Sequence, residues 1–261
     1  MPRRTRWSDR NPKAGRGEYR EVLALARDVA GAEMARGANA VVLAGSWARG
    51  DAHRHSDVDL WVVGPARSNS FRAVQGRLVS IARKTTAQFR SELRTPRLVG
   101  TVVPAWRTGV ILEDRRGLAH RLQREAARFR WSTISARCDR YVARSITEWA
   151  EEAVKLTRLL ADDRPESAAV QRNLLAEALA GLVAVDRRMF YDENGLWEEV
   201  GRRMGATWHR HQSRALGLGG ASLEESCRSA LELYRATALA LAPRLSTEQR
   251  RVVERVAELI R

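Results

Sequence analysis

The chain has 261 residues, is 44% hydrophobic and carries a formal charge of +15. That length allows one large domain or two of ordinary size, each with its own core, and the apolar share excludes an intrinsically disordered chain. No run of 18 or more uncharged apolar residues appears, so a membrane-spanning helix is not expected.

The start, "MPRRTRWSDRNPKAGRG", is basic but lacks the apolar core of a secretion signal. Residues 1–17 therefore read as a flexible tail, and the cytoplasm is the expected location. From Gly17 to Ala35 the apolar residues Tyr19, Val22, Leu23, Leu25, Ala26 and Val29 recur at helical spacing, with Gly37 as a stop. "NAVVLAG" and "DVDLWVV" are short, apolar and β-branched, as buried strands are. Between Ser70 and Leu93, the spacing of Phe71, Val74, Leu78, Ile81 and Ala82 predicts an amphipathic helix that Pro96 ends. "RLVGTVV", "TGVILED" and "GLAHRL" read as three further strands, the last two joined as a hairpin through "RRG".

After about Leu122 the strand-like runs stop and helical periodicity takes over. Ser145–Glu148, Ser222–Glu225 and Ser246–Gln249 have capping-box spacing, and breaks between helices fall at Asp162–Pro165 and Tyr191–Gly195. The expected fold is α+β, with a small mixed sheet over residues 18–122 followed by an all-helical domain over residues 123–261.

Cys138 and Cys227 lie far apart with no CxxC or Cys/His cluster around them, and read as buried reduced thiols. Of 46 basic residues only Lys13, Lys84 and Lys155 are lysines. So large a positive excess points to polyanions such as nucleotides or nucleic acid. The arginines are dispersed, however, and their abundance also follows from a GC-rich coding sequence, so nucleic acid is not the favoured partner.

The chemistry concentrates in "AGSWARGDAHRHSDVDLWVV", Ala44 to Val63. In an extended segment alternate side chains share a face, so Asp57 and Asp59 project together while Val58, Leu60 and Val62 pack behind. Two adjacent carboxylates suit a hard divalent cation, magnesium above all, whose remaining ligands are water and phosphate oxygens. Without a side chain, Gly45 lets a phosphate approach the backbone, where Ser46 can donate a hydrogen bond. Arg49 and Ser56 lie in the same stretch and count among the nucleotide-binding candidates. His53 and His55 read as loop residues beside the phosphates, since magnesium prefers oxygen ligands. His209 and His211, about 200° apart on a helix, do not form a joint site. Trp106, Trp131, Trp197 and Trp208 read as packing residues.

Gly45-Ser46, Gly50 and Ser56-Asp57-Val58-Asp59-Leu60 resemble the glycine-serine plus Asp-x-Asp signature of the DNA polymerase beta-like nucleotidyltransferase superfamily. The architecture resembles that of the antibiotic nucleotidyltransferases of the kanamycin type, whose helical domain supplies a glutamate base and a lysine four residues later. In "EWAEEAVKLTRLL" the resemblance points to Glu151 as base and Lys155 as a phosphate ligand, and the same two residues also read as an ordinary surface ion pair. Catalytic members place a third carboxylate on a neighbouring strand, often the strand after a hairpin. Glu113 and Asp114 are the acids available, with Asp114 the expected third metal ligand; the sequence also leaves open a single-metal site or binding without efficient catalysis.

The resemblance implies magnesium as cofactor and ATP, or another nucleoside triphosphate, as co-substrate. It implies transfer of AMP to a hydroxyl of a small acceptor such as an aminoglycoside-like antibiotic, and a possible homodimer. Two alternatives stand beside it: nucleotidylation of a partner protein or RNA, and a non-catalytic nucleotide-binding module.

Overall fold

The computed structural model describes residues 15–192 and 194–260; most of the basic tail of residues 1–17 lies outside the described residues. Two compact units follow each other, dividing between Phe129 and Arg130. The fold is α+β, a small mixed sheet followed by helices.

The first unit opens with helix α1 (Arg16–Ala35). Strands β1 (Ala40–Leu43) and β2 (Val58–Val63) flank the short helix α2 (Gly45–Arg49). Next come β3 (Ser70–Val74), β4 (Arg77–Lys84), α3 (Thr86–Glu92), α4 (Pro96–Thr108), β5 (Val110–Asp114) and α5 (Leu118–Arg128). The strand order is β3-β4-β2-β1-β5, with only the β2–β4 pair parallel.

Alternation along β2 gives the sheet two different faces. Val58, Leu60 and Val62 join Val41, Leu43, Val79 and Ile81 in a core closed by Val22, Leu25, Ala26 and Val29 of α1. Trp61, on the other face, packs against Phe89 of α3 and Trp106 of α4, with ring centroids 5.6 and 5.2 Å away. Asp59 shares Trp61's face by the same alternation, and Asp57 stands one residue before the strand. Glu33 of α1, 2% exposed, accepts two hydrogen bonds from Arg83 of β4 at 2.8 and 2.7 Å and one from Arg36. The Arg83 guanidinium, with Arg36 beside it, holds the Glu33 carboxyl below its ordinary range in spite of burial.

Three sequence expectations give way here. The segment from Ser70 to Leu93 is a β-hairpin followed by α3, because Gln75 and Gly76 both adopt positive φ (50° and 75°), the geometry of a tight two-residue hairpin turn. "RLVGTVV" is helical: Pro96 sits in the first turn of α4, where a missing N–H costs nothing, and Val99, Val102, Val103 and Trp106 form one buried stripe. "GLAHRL" opens α5 and forms no hairpin with β5; Arg116 and Gly117 turn the chain at φ 66° each, and Ala119, Leu122 and Ala126 face inward. Leu122, the expected domain boundary, is thus a buried residue inside a helix.

The second unit is all helical: α6 (Ser135–Ala161), α7 (Pro165–Asp186), α8 (Leu196–Met204), α9 (Ala206–Ala215), α10 (Leu223–Leu241) and α11 (Thr247–Leu259). The capping boxes at Ser222 and Ser246 form as expected, with both reciprocal hydrogen bonds. The one expected at Ser145 does not, since that serine is buried in the middle of α6. Helix α7 is long and apolar enough to cross a membrane, yet more than half of its apolar window is buried in this unit, against α6, α8, α9 and α10. Cys138 and Cys227 are buried free thiols, and burial pushes both above the ordinary thiol range.

Candidate active site

Strand β1 runs into Ala44, whose N–H donates to the Asp59 carbonyl at 2.9 Å, so the end of β1 is tied to the start of β2. The chain then turns at Gly45, with φ +63°, into α2. A Cβ built on Gly45 would stand 2.0 Å from Oδ2 of Asp59. Glycine is thus required twice, by its backbone conformation and by the carboxylate lying against its Cα.

Trp47 of α2 is fully buried and its indole N–H reaches the Ser56 carbonyl at 3.4 Å, anchoring the loop that leads to Asp57. Ser56 closes a turn in that loop: its hydroxyl accepts from the His53 N–H at 3.1 Å, and its own N–H donates to the His53 carbonyl at 2.8 Å. Arg49, at the end of α2, pairs with Asp51 at 3.1 Å. His53 and His55 are exposed and interact within this loop, the His55 N–H donating to Nδ1 of His53. Gly45, Ser46, Asp57 and Asp59 are all half-buried, forming a glycine-serine corner beside an acid pair at one end of the sheet.

The strand register moves the expected third acid elsewhere. Asp114 pairs with Ala40 and Glu113 with Val41, while Ala40 and Val41 pair on their other side with Val63 and Val62. Asp59 lies three and four residues before Val62 and Val63, which at about 3.3 Å per residue puts both acids roughly 10 Å or more along the strands from its level. The end of β5 nearest the acid pair is Val110, preceded by Gly109. Asp114 instead serves α5: its carboxylate accepts from the backbone N–H groups of Ala119 and His120 at 3.1 Å each and contacts Nδ1 of His120 at 2.6 Å. Burial alone would raise its pKa, but these hydrogen bonds outweigh that and hold the carboxyl below its ordinary range.

The strand that follows a hairpin is β4, and its residue level with Asp59 is Ser80. In a parallel pair, residues in register face the same way, so a hydroxyl rather than a carboxylate stands beside Asp59 on the neighbouring strand. Among the described residues no group of three His, Cys, Asp or Glu side chains is placed to hold a metal. Asp57 and Asp59, with the close backbone at Gly45, fit one hard divalent cation completed by water and phosphate oxygens. They do not fit a pair of ions bridged by three protein carboxylates.

In the second unit, Lys155 of α6 reaches Glu151 at 3.0 Å and Glu152 at 2.9 Å. Glu152 also accepts a hydrogen bond from Gln171 of α7 at 2.6 Å, whereas Glu151 is 73% exposed. Among the described residues Glu151, the base the resemblance points to, pairs with Lys155 alone, whereas Glu152 is held by both Lys155 and Gln171. Gln171 lies nineteen positions from Glu152 and meets it because α6 and α7 pack together.

A glycine-serine corner and an Asp-x-Asp strand in a small mixed sheet are the marks of a nucleotidyl-transferring domain. Residues 34–100, from the end of α1 into α4, match the model of the nucleotidyltransferase domain family, which supports the likeness to the DNA polymerase beta-like nucleotidyltransferase superfamily. Among solved structures, a nucleotidyltransferase-like protein from Exiguobacterium sibiricum 255-15 shares the fold at a TM-score of 0.54 and 15% identity, over 85% of this chain and 78% of that one. A comparison with curated proteins gives no match.

Proposed function

We propose that the protein transfers a nucleoside monophosphate, AMP from ATP, to a hydroxyl of a small acceptor and releases pyrophosphate. The observation that carries this reading is the Asp59 carboxylate lying against the bare Cα of Gly45, with Asp57 one residue before the same strand. The acceptor oxygen attacks the α-phosphorus as the bond to the pyrophosphate oxygen breaks, and the hydroxyl proton passes to a carboxylate. Magnesium held by Asp57 and Asp59 would neutralise charge on the triphosphate. Gly45 and Ser46 receive the outer phosphates, with Arg49 near them. Glu151 is the base that the family resemblance offers and Lys155 a phosphate ligand. An aminoglycoside-like antibiotic is the acceptor class the same resemblance suggests.

The test is pyrophosphate release from ATP and magnesium, with mass spectrometry of a panel of hydroxylated antibiotics, RNA and proteins. Product from the natural chain that disappears in Asp57→Asn supports the reading; turnover unchanged in that variant overturns it. Glu151→Gln and Glu152→Gln, assayed side by side, assign the base. A second reading, binding of nucleotide without transfer, is favoured by Ser80 at the level of Asp59. ATP binding with no pyrophosphate release against any acceptor selects it.

A further inference from the structure

On the face of the sheet that carries the acid pair, the strand register lines up three residues of different chemistry. Asp59 is level with Ser80 of β4, and Ser80 is level with Phe71 of β3. Two strand spacings of about 4.8 Å separate the acid from the aromatic, so the row spans roughly 10 Å between backbones. Ser80, small and half-buried, leaves a trough between them. Leu78 lies two residues before Ser80 on the same face, level with Ala73.

Phe71 is 63% exposed and Leu78 50%; among the described residues of the first unit they are the large hydrophobic side chains left in water. Both lie on β3 and β4, on the face that carries Asp59, whereas Trp61, one row further along β2, is covered by Phe89 and Trp106.

Resting on the nucleotide-binding reading above, we propose that Phe71, with Leu78 beside it, is the platform for the nucleobase of the bound triphosphate. With the α-phosphate at Asp57 and Asp59, the ribose crosses the trough over Ser80 and the base stacks on the Phe71 ring. An acid, a small residue and an aromatic in one cross-strand row match the order of phosphate, sugar and base. The row offers the base a ring face and aliphatic groups rather than hydrogen-bonding side chains. Because every base has a π-face, the platform discriminates poorly between adenine and guanine.

The test uses the full chain and isothermal titration with magnesium chloride, comparing ATP, GTP and inorganic tripolyphosphate. The natural protein is expected to bind ATP and GTP within a few-fold of each other and both more tightly than tripolyphosphate. Phe71→Ala is expected to weaken ATP about tenfold, the scale of one lost base–aromatic stack, and to leave tripolyphosphate unchanged, while Phe71→Trp keeps ATP affinity. Unchanged ATP affinity in Phe71→Ala, or natural protein that binds ATP no better than tripolyphosphate, overturns the platform and leaves the phosphate site standing. Failure of the natural protein to bind either ligand overturns the proposed function together with it. A changed sedimentation coefficient in Phe71→Ala without a change in ATP affinity gives the patch to self-association and also overturns the proposal. Leu78→Ala, expected to have a smaller effect in the same direction, guards against a fault peculiar to one variant.

Discussion

Gly45 has φ +63° and its Cα faces the Asp59 carboxylate, so a methyl group there meets a backbone penalty and a collision together. The left-handed conformation alone costs a non-glycine residue about 1–2 kcal/mol, and the collision must be relieved by moving Asp59. Gly45→Ala should therefore lower stability in urea by at least about 1 kcal/mol and abolish magnesium-dependent ATP binding; a variant that binds like the natural protein would remove Gly45 from the site. Ser80 offers the opposite experiment. A third carboxylate at its level repels Asp59 across the strands by up to about 1 kcal/mol, until a cation bridges the acids. Ser80→Asp should melt lower than the natural protein in chelator and gain more from millimolar magnesium. An identical magnesium response in the two proteins would mean that residue 80 does not face the acid pair. The sequence does not reveal the place of Ser80 for one reason: the apolar spacing of its segment also fits a helix, which would leave no strand to lie beside β2.

At the scale of elements, what the sequence made legible follows from whether one pattern or two could explain a segment. In α1, β1 and β2 the apolar period and the glycine breaks agree, and the glycine-serine and Asp-x-Asp residues fall where they were expected. In β3 and β4, Phe71, Val74, Leu78 and Ile81 fit a helical spacing as well as they fit alternating strands, and the choice rests on a Gln75-Gly76 turn that is a weaker hairpin signal than Asn-Gly. In α4, three valines and a threonine in "RLVGTVV" fit a strand, but burying Val99, Val102, Val103 and Trp106 along one stripe overrides their propensity. Asp114, an acid on a strand next to β1 and so the expected third metal ligand, instead satisfies N–H groups in the first turn of α5, a helix that the sequence pattern presents as a strand. A carboxyl whose pKa is lowered by folding contributes stability that is present above its unfolded pKa, about 3.9, and lost as pH falls through the folded value. Asp114→Asn should therefore cost about 1–2 kcal/mol at neutral pH. Chemical denaturation of both proteins at several pH values should show that gap closing below about pH 4. A gap independent of pH would assign the cost to packing and remove the charge argument.

For the whole molecule the open quantity is the positive charge. Residues 1–14 alone hold five basic residues and one acid. Elsewhere many arginines are engaged internally: Arg83 with Glu33, Arg77 with Glu18, Arg90 with Glu125, Arg188 with Asp139, and Arg244 with Asp186. Charge matched in this way attracts phosphate weakly, because each pair already neutralises its arginine. Polyanion binding through the remaining cations should accordingly be sequence-independent and rest on counterion release, which falls steeply with salt. A nucleotide held by a metal, a close backbone and a stacked base draws on short-range contacts that salt screens far less. Filter binding of single-stranded RNA should then be measurable near 50 mM salt and lost by about 200 mM, while ATP affinity changes only a few-fold over the same range. RNA binding that persists at the higher salt and competes with ATP would move the acceptor from a small hydroxylated molecule to a nucleic-acid end. The dispersed arginines would then be part of a substrate surface, and Asp57→Asn should leave RNA bound while abolishing its nucleotidylation.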